Sequence, residues 1–273
     1  MSRLYKTEGV VLKHSYIGEA DALLTFCTPD RGKLRAVARG VRRPKSRLAG
    51  HLEPLTYCTM MLAEGRTLDV VSGCEALDSF QGIKSDLWLL SCGLYAADLT
   101  DRLSAEGAEN QPLFRLLLNA LRSLAGGVDP ALVLRYFEFH SLACSGYLPE
   151  LWECALCHRK LEATTNYFSP AAAGLLCPNC RGKEGLDRPT SVDCVKVLRF
   201  FTRNECPALA RLRVKPRLAR EIEDLMQGYV TYVLDREVAS AKWLHELRPE
   251  NGQAGKAPNS LTGGQPAVES GAD

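Results

Sequence analysis

The sequence predicts an α+β chain of several units: an N-terminal five-stranded β-barrel, an α-helical domain and a four-cysteine module inserted into the helices. Three observations carry that expectation. Short apolar runs and period-two alternation, broken by turn residues, fill the first 80 residues or so. Helical spacing takes over after Gly82. Two Cys-x-x-Cys pairs then interrupt the helices between residues 150 and 187.

The strands follow in order. Gly9-Val10-Val11-Leu12-Lys13-His14 and Ala22-Leu23-Leu24-Thr25-Phe26 are apolar runs ending in turn-prone residues. Pro29-Asp30-Arg31-Gly32 marks a turn, and Lys33 to Arg39 then alternates. Leu34, Ala36 and Ala38 share its inward face, with Lys33, Arg35, Val37 and Arg39 opposite. Thr56 to Leu62 and Thr67 to Val71, joined by Glu64-Gly65-Arg66, complete five strands, which suits a small closed barrel.

Helices come next. Trp88, Cys92, Tyr95, Leu99 and Leu103 recur every three or four residues, as do Leu113, Leu116, Leu117, Ala120, Leu121 and Leu124 before Gly126-Gly127. Asp129-Pro130 pairs a cap with a favoured first helical residue and opens a helix ending near Gly146. Further helices fit Ser191 to Arg203 and Arg217 to Leu247, the latter with an Ile222, Leu225, Tyr229, Val233 core stripe. From about Pro249 the chain becomes Gly, Asn, Pro, Ser and Ala without period, the composition of a disordered tail. The units are thus 1–80 for the barrel, 81–150 with 188–247 for the helical domain, 151–187 for the cysteine module and 248–273 for the tail.

A chain of 273 residues, 46% hydrophobic, can bury a substantial core. The formal net charge is +2, so any polyanion-binding surface has to be local. No run approaches a membrane span, and the N-terminus lacks the marks of a signal peptide, which together predict a cytoplasmic protein. Eleven cysteines are too many to ignore, yet the odd number and large core argue against a disulfide scaffold. Cys27, Cys58, Cys74, Cys92, Cys144, Cys194 and Cys206 are scattered singly and read as small buried hydrophobes.

Cys154-Ala155-Leu156-Cys157 and Cys177-Pro178-Asn179-Cys180 behave differently. Nineteen residues separate the pairs, a spacing that lets four thiolates converge tetrahedrally on one zinc ion. Thr164-Thr165-Asn166, Ser169-Pro170 and Gly174 supply turns to bring them together. A redox Cys-x-x-Cys is a lesser alternative, and His158 is a conceivable substitute ligand. An all-cysteine shell leaves no open position for a catalytic water, so the expected Zn2+ is structural.

Between Arg31 and Arg47 lie eight basic residues and no acidic one. Most charge runs are solvated faces. Here the purity of sign, the strand alternation and the Arg42-Arg43-Pro44-Lys45-Ser46-Arg47 loop favour phosphate contact. Tyr16 and Tyr57 are the only nearby aromatic residues suited to stacking, too few for sequence-specific base reading. A second acid-free run, with Arg211, Arg213, Lys215, Arg217 and Arg220, reads equally well as a solvated helix start or as a site for an acidic ligand. The chain has no phosphate-cradling Gly-x-x-x-x-Gly-Lys loop, no His-Glu-x-x-His and no Gly-x-Ser-x-Gly, so an enzyme is not expected. His51 near Glu53 and His140 near Glu138 have ordinary structural explanations.

Three segments together resemble the bacterial recombination mediator family RecO. They are Thr7-Glu8-Gly9-Val10-Val11-Leu12-Lys13 with Gly18-Glu19-Ala20-Asp21, Gly40 to Gly50 running on to Leu52-Glu53-Pro54-Leu55, and the cysteine pairs flanking Tyr167-Phe168-Ser169-Pro170 and Gly174-Leu175-Leu176-Cys177. The likeness covers roughly residues 4 to 245. It implies an OB-type barrel, a helical domain and a four-cysteine zinc insertion. It also implies binding of single- and double-stranded DNA, annealing of complementary strands, and partnership with RecR and with the acidic tail of single-stranded DNA-binding protein, so that recombinase can load. By motif, the DNA contacts would fall on Lys33, Arg35, Arg39, Arg42, Arg43, Lys45 and Arg47. Arg211 to Arg220 is a candidate for the acidic partner, and the expected location is cytoplasmic and nucleoid-associated.

Two rival readings remain on the sequence alone. A zinc-ribbon transcription or RNA-binding factor would bind selectively or prefer RNA. A zinc-dependent nuclease or hydrolase would need His or carboxylate ligands around an open metal position, and none is visible.

Overall fold

The protein was analysed as a computed structural model that describes residues 3–183 and 185–235, with Val238, Ser240, Ala241, Leu244 and Leu247 beyond them. The tail expected over 248–273 lies outside the described residues. Five strands open the chain: β1 Leu4–Ile17, β2 Asp21–Thr28, β3 Gly32–Ala38, β4 Tyr57–Ala63 and β5 Asp69–Asp78. They close into a barrel in the order β1-β2-β3-β5-β4. Antiparallel β1–β4 pairing seals one side, and a two-pair parallel contact, Ala36 with Asp69 and Val37 with Val70, seals the other.

Strand β1 shows why its sequence is a continuous apolar run rather than an alternation. Val11 points into the barrel with Leu24, Phe26, Ala36, Ala38, Met60 and Leu62. Its neighbours Val10 and Leu12 point outward into the core of the helical layer. A strand buried on both faces has no polar side to display. Ala36 and Ala38 turn inward as the alternation of β3 predicts, both fully buried.

The helices α1 Gln81–Lys84, α2 Leu87–Leu103, α3 Gln111–Ala125, α4 Pro130–Cys144, α5 Val192–Arg203 and α6 Pro216–Leu234 follow. Asp86, Asn110, Asp129 and Ser191 cap α2, α3, α4 and α5, each side chain accepting from a first-turn N–H. Such caps satisfy donors that the helix itself leaves unpaired. Helix α2 lies close on the barrel: a β-carbon at Gly93 would stand 2.7 Å from Leu55 Cδ1. Leu55, fully buried at φ 65°, links Glu53-Pro54 to β4 and donates its N–H to Val11 O at 2.8 Å.

Three elements differ from the sequence expectation. Strand β5 runs to Asp78 rather than stopping at Val71, because register shifts against β4 erase the period-two signal. The helix expected over Arg217 to Leu247 ends at Leu234, where Asp235 adopts a left-handed conformation. The short α1 was not expected. Between α4 and α5 a three-stranded sheet of β6 Asn166–Ser169, β7 Gly174–Leu176 and β8 Arg188–Thr190 runs in the order β7-β6-β8, so its last strand reaches past residue 187.

Inside the helical layer sits a buried polar cluster. Arg135 lies 2.8 Å from Glu138 and 3.4 Å from Glu223, and Tyr95 donates to Glu138 Oε1 at 2.6 Å. It joins α2, α4 and α6. Burial pushes the Glu138 carboxyl up to about 7 despite the Arg135 guanidinium and the Tyr95 hydroxyl, which pull it down.

Candidate metal centre and nucleic-acid interface

The four cysteines of the two Cys-x-x-Cys pairs converge. The sulfurs of Cys154, Cys157, Cys177 and Cys180 all lie within 4.8 Å of one another, with Cys157 and Cys177 at 3.8 Å. Four sulfurs each about 2.3 Å from a tetrahedral zinc stand about 3.8 Å apart, so the donor set fits that geometry.

Local backbone bonds set the first knuckle. Cys154 donates to Arg159 O, and His158 donates back to Cys154 O, with His158 itself left-handed at φ 58°. His158 is exposed and outside the sulfur cluster. The hairpin of β6 and β7 carries the second knuckle, and Ala155 donates to Leu175 O to bring the two together. Gly174 is required by close approach, since a β-carbon there would stand 2.8 Å from Glu150 O. The expected Thr164–Asn166 turn is closed by the Asn166 amide, which donates to Glu162 O and Thr164 O.

The four sulfurs are close enough together to hold a metal ion. Burial raises the Cys154 thiol, yet backbone N–H groups of Cys157, Cys177 and Leu156 outweigh it and bring it down to about 6. Burial and the other three sulfurs push Cys180 up to about 12. The module is tied to the helices by Arg199, which donates to Leu151 O at 2.6 Å and 3.0 Å. Phe168 packs edge-on against Tyr229 of α6, 5.1 Å between ring centres.

The basic residues of the barrel divide into two groups. Lys33 donates to Asp101 O at 2.7 Å and lies 3.1 Å from the Asp101 carboxylate. Arg35 pairs with Glu106 at 3.2 Å. These partners come from the end of α2 and the loop after it, 68 and 71 residues away, so nothing in the local sequence reveals them. Arg39, Arg42, Arg43, Lys45 and Arg47 are all exposed, on the turn and loop that follow β3. Arg42 stacks its guanidinium 4.5 Å from the centre of the Tyr16 ring. Tyr16 is 64% exposed, whereas Tyr57 bonds Glu8 and packs on Phe114.

Arg211, Arg213, Lys215, Arg217 and Arg220 are exposed too, spread over a 3-10 turn, an extended stretch and the first turn of α6. Arg213 donates to Ala210 O at 3.0 Å. The two weak histidine pairs are structural: His51 Nδ1 accepts from Ala76 N–H, and His140 Nε2 lies 3.0 Å from Phe201 O. Glu53 bonds Lys84 rather than His51, at 3.0 Å. The seven scattered cysteines are buried or half-buried, as small apolar residues would be. Among the described residues no helix is long and apolar enough to cross a membrane.

Comparison with known proteins agrees with this arrangement. Residues 1–80 match the family model for the recombination protein O N terminal region, and residues 84–242 match that for its C terminal region. The DNA repair protein RecO of Dehalococcoides mccartyi (strain CBDB1) is 41% identical over 244 residues, covering 89% of this chain and 96% of the relative. That of Roseiflexus sp. (strain RS-1) is 42% identical over 246 residues, 90% of this chain and 87% of its own. The protein of the same name from Moorella thermoacetica is 35% identical over 252 residues, 92% and 94%. With a closed five-stranded barrel, a helical layer and a four-cysteine cluster joined in one chain, and with matches spanning all three, the chain belongs to the RecO family of DNA repair proteins.

Proposed function

We propose that this protein is a non-catalytic mediator of recombinational repair, which binds single- and double-stranded DNA and anneals complementary strands. The observation that carries the reading is the set of exposed cations Arg39, Arg42, Arg43, Lys45 and Arg47 on the turn and loop that follow β3, in a chain of this family. Contacts from such a loop to phosphates neutralise strand charge while leaving base edges free to pair. Lys33 and Arg35 belong to β3 itself but hold the helical layer, and Arg35, with its exposed ion pair, is the one able to exchange Glu106 for a phosphate.

The four cysteines would hold a structural Zn2+. The chemistry that the ion supplies is a cross-link, since four thiolates leave no position for water or substrate. The proposed units are a DNA-binding barrel over 1–80, a helical domain over 81–150 and 188–247, and a zinc module over 151–187 whose sheet is completed by β8, Arg188–Thr190. The helical domain would recruit partners, RecR and the acidic tail of single-stranded DNA-binding protein, with Arg211, Arg213, Lys215, Arg217 and Arg220 as the acidic-tail candidate. Such work places the protein in the cytoplasm with the nucleoid.

The test is strand annealing. Complementary oligonucleotides coated with single-stranded DNA-binding protein should pair faster when the protein is added, with neither strand cleavage nor ATP hydrolysis. Without acceleration the mediator reading fails. Acceleration that persists with a coat protein lacking its acidic tail removes only the recruitment step.

A further inference from the structure

A cleft of 780 Å³ opens between the barrel and the helices, bounded by Tyr16, Arg42 and Arg43 on one side and by Leu90 and Leu94 of α2 on the other. That size falls within the ~300–1,000 Å³ range of small-ligand sites. Its charge is lopsided. Glu53, the acidic residue on its wall, is matched by Lys84 at 3.0 Å, which leaves Arg42 and Arg43 as the exposed charges at its mouth.

Beside these charged groups, Leu90 and Leu94 make one part of the wall apolar and the Tyr16 ring makes another aromatic. Leu90 and Leu94 are half-buried. The His14 ring stands 4.8 Å from Tyr16, tilted by 57°, and buttresses it from within. Burial lowers the His14 imidazole from its usual range, which favours the uncharged ring. Tyr16 is thus an exposed ring backed by His14 with the Arg42 guanidinium resting on it, whereas Tyr57 is engaged by Glu8 and Phe114.

An apolar wall, a held aromatic ring and neighbouring exposed cations are what an unpaired nucleotide requires: a surface for the base and charges for its flanking phosphates. We infer that the Tyr16–Arg42 platform takes one unpaired nucleobase of a single strand into this cleft, with Arg43 meeting an adjacent phosphate. The inference rests on the DNA-binding reading above and adds to it a base contact. Every base has a π face, so the contact is indifferent to sequence. It distinguishes single from double strands, because a paired, stacked base cannot enter. The loop thus grips the backbone while one base serves as an anchor.

The experiment compares oligo-dT with an abasic strand of the same length and phosphate number, using the full chain. Wild type should bind oligo-dT more tightly than the abasic strand. Tyr16→Ala should lose about tenfold on oligo-dT and nothing on the abasic strand. Tyr16→Phe should retain wild-type binding, because it keeps the ring. Arg39→Glu should weaken both strands alike. Equal loss on both strands for Tyr16→Ala, or loss on neither, overturns the base contact and leaves the backbone-binding reading standing. A wild-type protein that binds neither strand overturns the DNA-binding reading itself, and the base contact with it.

Discussion

Gly32 lies directly against Ala108: a β-carbon built on the glycine would stand 1.8 Å from that residue's carbonyl oxygen. The contact is where the loop after α2 reaches back to the barrel. Glu106 bridges to Gly32 and Lys33, and Gly107 donates to Lys33 O at 3.1 Å. Strand β3 pairs with β5 only at Ala36 and Val37, so this loop covers the part of its edge that β5 does not reach.

Gly32→Ala should therefore be among the most damaging single changes in the barrel. Gly32 has φ +57°, and holding a non-glycine residue there costs about 1 to 3 kcal/mol before any clash is counted. The clash is with backbone, which has no rotamer to escape into. In a chain of this size about 2 to 4 °C of Tm is lost per kcal/mol, and a thermal melt reads it directly. A variant melting at the wild-type temperature would show that the loop does not seal β3 in solution.

The metal prediction concerns stoichiometry and fold together. Purified protein should carry about one zinc ion per chain, and Cys177→Ser should lose it. Loss should loosen the β6–β7 hairpin and expose Leu175 and Leu176, both fully buried, while the barrel core remains closed. Metal analysis with proteolysis of the variant checks both halves. Four freely reacting thiols and no bound metal in fresh wild-type protein would remove the zinc.

How legible these features were depends on the range of the interaction that makes them. The cysteine quartet was readable because each knuckle is local and its spacing is chemically constrained. Ala36 and Ala38 were readable because a strand buried on one face must alternate. The continuous run Val10-Val11-Leu12 reads as a strand, but its burial on both faces appears only once α2 and α3 pack outside the barrel. Lys33 looked like its basic neighbours, and only a carboxylate 68 residues away sets it apart. The end of α6 was missed because Asp235 carries none of the glycine or proline punctuation by which a helix stop is usually read.

Stability should depend on pH through Glu138. Its carboxyl is raised from 4.5 to about 7 in the folded protein, chiefly by burial. The folded state thus holds this proton more firmly than the unfolded chain. The stabilisation is fully present below pH 4.5 and is lost as pH rises through about 7, on the order of 3 kcal/mol. Glu138→Gln keeps an oxygen for the Tyr95 hydroxyl and the Arg135 guanidinium but cannot titrate. Thermal melts across that window should show a flatter profile for the variant than for wild type. Parallel profiles would assign the pH dependence to other groups.

The last prediction separates the two groups of cations on the barrel. Lys33 has a side chain only 18% exposed and is held by both the carbonyl and the carboxylate of Asp101. Replacing it by alanine leaves Asp101 without its cation and should cost about 1 to 3 kcal/mol of stability. The same change should scarcely alter DNA affinity, because that ammonium is already committed. Arg43 is exposed, with no carboxylate partner among the described ion pairs, so Arg43→Ala should leave the melting temperature alone. Its effect should appear in salt dependence instead. Each phosphate contact on a single strand contributes about −0.7 to the slope of log affinity against log salt, as a bound counterion is released. Arg43→Ala should therefore make that slope shallower by about 0.7, and do so alike on unrelated sequences. Arg39→Glu combined with Arg43→Glu should weaken binding steeply at low salt with the circular dichroism spectrum unchanged. If Lys33→Ala shifts the salt slope while Arg43→Ala does not, the strand meets DNA through its Asp101-facing side, and the exposed loop is an ordinary solvated surface.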